Sequence, residues 1–600
     1  MQHLLRQPAF RKVDFPPVNL DIIKQDDGTI YLQSAQTPPA YDPNLLSILQ
    51  QQARSRPETV FLQEKDPQGA WRGITYRDFF HKVLAAGTWL RRRDIPKGQS
   101  LLILSGNSIH HAIFTFAGLY AGVPVCPVSV NYALMGNYER LDYVRQMITP
   151  AIIFAEQTSL FHKTLEYLNA EDVILITEQP DRLLVPAIPL TEILEPLVDP
   201  AEIAPVDQVN PDGIFKLMLT SGSTGAPKTV IHTSRMLAAN AAFCNAVMKN
   251  ATSWADKTLD WLPWNHASGA LVLVLVMMNG GTLYIDDGRP LPGLFEKSIA
   301  NIRELNVSFL TNIPLAYELL ARELEKDEEF RKQFFTNIRH LVYGGAGISR
   351  SVYDRFQKMA LTETGEKILF GSGYGATETT SGVLCTYFEI DGRGIGLPQP
   401  GVKIKMVPAR TGYELRLAGD IITPGYYGRA DLNETILDEE GYYSIGDLVD
   451  WVDRSVPEQG LKFVGRLSDE FKLATGTWVN SSALRDRLLR RLAPDISELV
   501  VCGLNQDYIA LLAWPDPERV QHSGFADRVL SRLAAHNREF PGSSTRIARL
   551  TFLDTPPDPS RHELSDKGTV NATAVQANRA DMIESLFAEN PDERVLVIPT

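Results

Sequence analysis

The chain has 600 residues, 59 Lys or Arg against 72 Asp or Glu (formal charge −13), and 44% of it is apolar. At roughly 100–200 residues per domain it holds several domains or subdomains, and its apolar share excludes wholesale disorder. The acidic, well-mixed balance argues against a nucleic-acid partner, and the longest clean apolar run, residues 270–278, is far short of the roughly 18–20 residues of a membrane helix.

Apolar runs alternate with amphipathic stretches through the first 465 residues, with no internal repeat. Residues 100–105 have a buried-strand pattern, 108–120 a helical one and 123–128 a strand pattern again, which predicts a βαβ unit and a mainly parallel sheet. The rhythm recurs as strand 281–285, helix 294–305, strand 307–310 and strand 338–343. From about residue 397 to 465 short alternating strands (402–407, 413–417) predict a β-rich subdomain. Beyond Arg466 come arginine-rich helices (481–492, 525–539) and short strands (499–501, 509–513, 550–552). The expected class is α/β. A large domain, residues 1–466, combines parallel-rich sheets with helices and the β-rich subdomain. A small, mobile α+β domain, 467–600, follows a short hinge.

Residues 1–6 lack the apolar stretch of a secretory signal. Cys126, Cys244, Cys385 and Cys502 form no CxxC or Cys/His ligand cluster. A reducing cytoplasm, with neither disulfide scaffold nor zinc site, is expected.

Four segments carry chemistry. Thr220-Ser221-Gly222-Ser223-Thr224-Gly225-Ala226-Pro227-Lys228 can curl its N–H groups inward and add hydroxyls and a charge around a phosphate. A strand rather than a helix follows Lys228, so this is no Walker loop, and a glycine/serine turn explains the composition equally. Gly373-Tyr374-Gly375-Ala376-Thr377-Glu378 offers a ring face and oxygen ligands for Mg²⁺, or is a turn with Thr377 as a helix cap. In Tyr443-Ser444-Ile445-Gly446-Asp447 the aspartate can accept from ribose hydroxyls or simply close a turn. Gly465-Arg466, with Lys472 and Gly476 beyond, reads by itself as a solvated turn.

Taken together, at these separations, the segments resemble the adenylate-forming superfamily of acyl-CoA synthetases, adenylation domains and luciferases. Trp264-Asn265-His266 resembles the segment whose histidine borders the acyl pocket, and Gly344-Gly345-Ala346 the one lining adenine. Residues 101–108, 280–290, 471–479 and 566–571 resemble bacterial feruloyl-CoA synthases most closely. The resemblance covers about residues 99–571 and implies ATP, Mg²⁺ and coenzyme A, with Glu378 toward the metal. It places the phosphate loop at Thr220–Lys228, the nucleotide at Gly345, Ala346, Tyr374, Gly375, Thr377, Asp447 and Arg466, and the hinge segment at Lys472 and Gly476. Two departures stand out: Ser468 replaces the usual hinge aspartate or lysine, and the C-terminal Gly-Lys pattern is here Lys567-Gly568.

Lys567 has a separate argument. After Lys472 the chain has thirteen arginines and this one lysine, in Ser565-Asp-Lys-Gly568 beyond the stiff Pro556-Pro557-Asp558-Pro559. A surface lysine is the default, but a compact ammonium retained where the domain otherwise uses arginine suits a place between carboxylate and α-phosphate. The expected function is ATP-dependent ligation of an aromatic, hydroxycinnamic acid to coenzyme A by a monomer or homodimer. Trp264 and Tyr284 are the aromatics expected near the acyl pocket. The alternatives are adenylation of another acid, transfer to a carrier-protein thiol, and a non-catalytic nucleotide-binding relative.

Overall fold

The computed structural model describes residues 8–134, 138–169, 172–195, 198–220, 228–390, 394–558, 561, 563–564 and 570–599. A large N-terminal domain built on four sheets is followed by a small α+β domain.

The first βαβ unit forms where the apolar pattern puts it. Strands Ser100–Ile103 and Val125–Pro127 pair in parallel around helix Ile109–Ala121. Ser108 caps that helix by accepting from His111 N–H, and Gly122 ends it at φ +71°. These strands belong to a seven-stranded sheet in the order Lys228–His232, Lys216–Thr220, Val125–Pro127, Ser100–Ile103, Pro150–Ala155, Ile174–Thr177, Ile188–Pro189. All neighbours are parallel except the outer pair, Lys216–Thr220 with Lys228–His232. Side-chain alternation serves two cores. Leu101 and Ile103 pack with helices Tyr76–Arg91 and Ile109–Ala121, while Leu102 and Leu104 pack with Glu139–Ile148 and Thr158–Leu168.

The second predicted rhythm is divided. Thr282–Ile285 lies in a four-stranded sheet between Lys257–Asp260 and Val60–Lys65, whereas Phe309–Asn312, His340–Gly344 and Leu369–Tyr374 run parallel in a separate five-stranded sheet. Helix Phe295–Leu305 therefore joins two sheets instead of crossing over one. The β-rich subdomain also differs from its expected span. Its six-stranded antiparallel sheet runs Leu20–Lys24, Ile30–Ser34, Lys403–Pro408, Tyr413–Ala418, Tyr443–Trp451, Leu461–Arg466. Two strands come from the beginning of the chain because Ile30 and Leu32 complete the apolar face of Ile404, Met406, Leu415 and Leu417.

Past the 3₁₀ turn Leu467–Asp469 stand the hairpin Glu470–Lys472/Trp478–Asn480 and a mixed sheet of Ile496–Cys502, Ile509–Pro515, Ile547–Phe552 and Val595–Val597. Helices Ser481–Leu492 and Phe525–Glu539 cover one face, Ala572–Asn578 and Ala580–Phe587 the other. The apolar run 270–278 is the middle of the buried helix Ala267–Asn279. Among the described residues no helix is long and apolar enough to cross a membrane.

Candidate active site

A cleft of about 3640 Å³ runs between the large domain and the small one. It is larger than the roughly 300–1,000 Å³ of a single-ligand pocket, since it collects the carboxyl ends of strands from several sheets and the facing side of helix Ser481–Leu492.

One wall begins with a hairpin. Thr220 closes one strand, Lys228 opens the next, and the two are register partners. Ser221, Gly222, Ser223, Thr224 and Gly225 lie outside the described residues. Residues 425–427 extend that edge through Ile231 N–H to Gly425 O (3.0 Å) and Tyr427 N–H to Thr229 O (2.8 Å). This brings the ring of Tyr426 beneath Lys228 Nζ, 5.2 Å from its centroid. The Tyr426 hydroxyl donates to Glu378 Oε1 (2.9 Å) and contacts the Tyr443 hydroxyl (3.3 Å).

Glu378 sits in a 3₁₀ turn, Thr377–Thr379. The cap is Ala376 and not Thr377, because Ala376 has the extended backbone and Thr379 Oγ1 accepts from its N–H. Strand Leu369–Tyr374 aims Tyr374 at this wall. Its hydroxyl donates to Asp447 Oδ2 (2.6 Å), and Arg466 Nε is 3.4 Å from Oδ1. Asp447 is on strand Tyr443–Trp451, opposite Arg466 on the next strand, so neither residue is in a turn as the sequence suggests. Gly446 at φ +78° supplies the local kink that the turn reading registered. Burial raises the Asp447 carboxyl above its ordinary value, opposed by the Tyr374 bond and the Arg466 charge. Gly345, at φ +77°, and Ala346 follow strand His340–Gly344 and line the same wall.

The other wall is the segment before helix Ala267–Asn279. His266 has extended backbone at the N-cap, its carbonyl accepting from Ala270 N–H (3.1 Å), and it lines the cleft. A Cβ at Gly269 would stand 2.2 Å from Leu262 O, so only glycine lets the helix press this closely on the segment. Asn107, itself at the cleft, grips the segment, accepting from Trp264 N–H and donating to Leu262 O, both at 2.9 Å. The aromatics differ from expectation. Trp264 is 1% exposed and packs edge-on to His111, and Tyr284 packs against Trp71, so neither lines the cleft. Trp261 does, with its indole N–H on Asn312 Oδ1 (2.9 Å).

Thr220, Lys228, Gly345, Ala346, Tyr374, Gly375, Thr377, Glu378, Asp447, Arg466 and His266 thus share one cleft. Lys472 and Gly476 do not. They are exposed on the small-domain hairpin, where Gly476 makes the turn at φ +86° and Lys472 pairs with Trp478. Lys567 lies outside the described residues; Leu564 and Val570, which form an antiparallel bridge, line the cleft. Sequence reading passed over Tyr426, signalled only by its Pro-Gly-Tyr-Tyr context, and Asn107, signalled only by a Gly-Asn-Ser loop at a helix start.

Two family models match this architecture: AMP-binding enzyme over residues 49–427 and AMP-binding enzyme C-terminal domain over residues 468–591. The chain belongs to the AMP-binding enzyme family. Among family members it is 26% identical to a carboxylic acid reductase of Segniliparus rugosus over 577 residues. That match spans 86% of this chain and 46% of the reductase, so the chain answers to about half of that relative's length. It is 24% identical to a long-chain-fatty-acid–CoA ligase of Thermus thermophilus, over 72% of this chain and 78% of the ligase. It is also 24% identical to 4-coumarate–CoA ligase-like 9 of Arabidopsis thaliana, over 62% and 64%. The fold is that of the o-succinylbenzoate CoA synthetase of Bacillus subtilis solved with its acyl-adenylate intermediate (TM-score 0.67, 18% identity, 89% of this chain and 98% of that one).

Proposed function

We propose that this AMP-binding enzyme is an acid–thiol ligase: it activates an aromatic carboxylic acid, ferulate or a related hydroxycinnamate, with ATP and passes the acyl group to coenzyme A. The observation that carries the reading is the meeting of Lys228, Glu378, Tyr374, Asp447 and Arg466 on one wall of a cleft whose other wall presents His266. In the first half-reaction a carboxylate oxygen bonds to the α-phosphorus and the bond to pyrophosphate breaks. In the second a thiol bonds to the acyl carbon and AMP leaves. Both partners of the first step are anions, so its barrier is largely electrostatic.

Each residue then has a task. Asp447, held by Tyr374 and Arg466, is placed to accept from ribose hydroxyls. Gly345 and Ala346 leave room for a base against their backbone. The strands ending at Thr220 and beginning at Lys228 frame the phosphate-binding stretch Ser221–Gly225. The fit for a hard cation rests on Glu378: Oε1 is held by Tyr426, while Oε2 has no partner among the described residues and stands half-buried at the cleft. Mg²⁺ held there would offset phosphate charge. Lys567 enters on sequence grounds as the lysine of the first half-reaction, delivered by a domain that pivots near Leu467–Asp469. His266 borders the acid; a carboxylate already carries its own nucleophilic oxygen, so this histidine need not act as a base.

The hydroxycinnamate preference rests on the subfamily resemblance and on Trp261 in the acyl wall. A ring stacked in such a wall gains roughly 0.5–1.5 kcal/mol beyond area burial. ATP–pyrophosphate exchange over hydroxycinnamic, benzoic and fatty acids tests it: hydroxycinnamates are expected to give kcat/KM several-fold above palmitate, and a best substrate of palmitate or acetate would overturn the aryl reading. The likeness in fold to the A-PCP didomain of the Segniliparus rugosus carboxylic acid reductase (TM-score 0.68, 19% identity, 91% of this chain and 82% of that one) favours one second reading, transfer to a carrier-protein thiol. Thiolysis of the acyl-adenylate by free coenzyme A separates the two.

A further inference from the structure

Three basic side chains lie buried under the cleft, each bonded to the backbone of a different loop that reaches it. Lys216, 3% exposed, donates from Nζ to Trp264 O (3.0 Å). His232 is its register partner on the adjacent antiparallel strand and is completely buried. Its Nε2 is 2.6 Å from Thr377 O, immediately before Glu378. His111 Nδ1 is 2.9 Å from Gly106 O. A carbonyl only accepts, so the acceptors place the proton on Nε2 of His232 and on Nδ1 of His111. Burial holds both imidazoles down to about 4, hence neutral near pH 7.

Among the described residues no carboxylate offsets Lys216. Burial brings its ammonium down to about 7, and the one group acting the other way is the buried Cys126 thiol. A lone amine in an apolar strand costs stability that methionine or leucine would not. Its one hydrogen bond among the described residues goes to the residue two before His266. Asn107 bonds the same segment at Trp264 N–H and Leu262 O, so the 262–264 backbone is clamped by two side chains.

We propose that the register pair Lys216 and His232 are positioning residues that hang the two walls of the cleft from one hairpin. Lys216 sets the height of Trp264–His266 and with it the carboxylate end of the acid. His232 sets the Thr377–Glu378 turn and with it the phosphate end of the nucleotide. The same two strands carry Thr220 and Lys228 at their far ends. The reacting carboxylate and α-phosphate are therefore aligned through paired residues of a single element.

The kinetic half of the test rests on the ligase reading; the structural half does not. In the full-length chain, Lys216→Met keeps length and volume but removes the donor. It is expected to speed hydrogen exchange in peptides covering residues 263–270 and leave those covering 376–381 unchanged. His232→Phe should do the reverse. A misplacement of this kind raises the acid KM about tenfold in Lys216→Met while the ATP KM stays within about twofold, and the opposite split holds for His232→Phe. Unchanged exchange in both segments, or equal loss at both walls in both variants, would overturn the proposal. If Lys216→Met does not fold, Asn107→Ala releases the same segment: faster exchange there with an unaltered acid KM would equally overturn it. A wild-type chain without pyrophosphate exchange on any acid defeats the ligase reading and leaves the exchange arm to decide the placement.

Discussion

The two walls of the cleft handle buried charge in opposite ways. On the nucleotide side the ionisable groups that reach the cleft are paired, Asp447 with Tyr374 and Arg466 and Glu378 with Tyr426, and the lone His232 stands behind them. On the acyl side they are alone. Among the described residues Lys216 has one backbone carbonyl, and Asp260, buried at the end of the strand leading to Trp261, is met by the backbone of Trp261 and Leu262 and by no opposite charge. A paired group keeps its charge and can offer it to a ligand. A lone one is pushed toward its neutral form and serves to hold its neighbours. The difference teaches that the paired groups at the cleft do electrostatic work, while the lone ones behind it, Lys216 and His232, do placement.

The largest expected effect tests whether the nucleotide wall is complete by itself. Lys567→Ala should lower adenylate formation by about 10²–10⁴-fold, the range for removing a charge aimed at a developing one. Thiolysis of supplied acyl-adenylate should be largely kept, and rapid-quench measurement of each half-reaction decides. Equal loss of both would make the lysine structural and leave the wall self-sufficient.

Asp447→Ala strikes the paired side directly. Charge-assisted hydrogen bonds contribute about 1.5–3 kcal/mol, so kcat/KM for ATP should fall about 10–100-fold. The acid KM should hold. A matching rise in acid KM would mean that the walls are not separable.

Ser468→Pro asks whether both walls depend alike on the small domain. Ser468 is exposed in the Leu467–Asp469 turn, and proline would fix its φ near roughly −65°. One half-reaction should fall about tenfold more than the other, with Ser468→Ala mild and thermal stability little changed. If the proline variant turns over normally, the pivot is at Asp469 or Glu470.

The smallest effect concerns Asp260, whose carboxyl burial pushes far above its ordinary 3.8. The folded chain therefore holds this proton to higher pH than the unfolded chain does, and between the two values folding takes up a proton. Its contribution is intact below about pH 3.8 and is lost as pH rises toward the folded value. Asp260→Asn should therefore add about 1–3 kcal/mol at pH 8 and almost nothing near pH 4, read by urea unfolding at both. An equal gain at both pH values would show that the carboxyl is ionised in the fold.

How far the sequence was legible follows the same division. Helices 481–492 and 525–539 were read to the residue, because leucine spacing and the flanking Asn480 and Gly524 mark them locally. The nucleotide wall was legible because its groups are side chains in contiguous motifs. The acyl wall was legible only at His266, because the atom that places it is the carbonyl of Trp264, which carries no residue signature; the Thr377 carbonyl behind the nucleotide wall is hidden in the same way. Lys216 between Phe215 and Leu217 reads as an ordinary strand residue until its depth is known. Trp264 and Tyr284 were misplaced for the converse reason: being near a segment in sequence says nothing about which face of it is open. The two N-terminal strands of the six-stranded sheet escaped notice since the pairing of Ile30–Ser34 with Lys403–Pro408 spans most of the chain.

That pairing bears on where the chain can safely be cut. The family match starts at residue 49, yet a protein trimmed there would lose Leu20–Ser34 and leave Lys403–Pro408 as a bare outer strand, with Ile404 and Met406 uncovered. Such an edge is a template for intermolecular pairing, two strands away from Asp447. The recognisable unit is thus shorter than the unit that folds, and insolubility of a trimmed protein would report a missing strand rather than a failed active site.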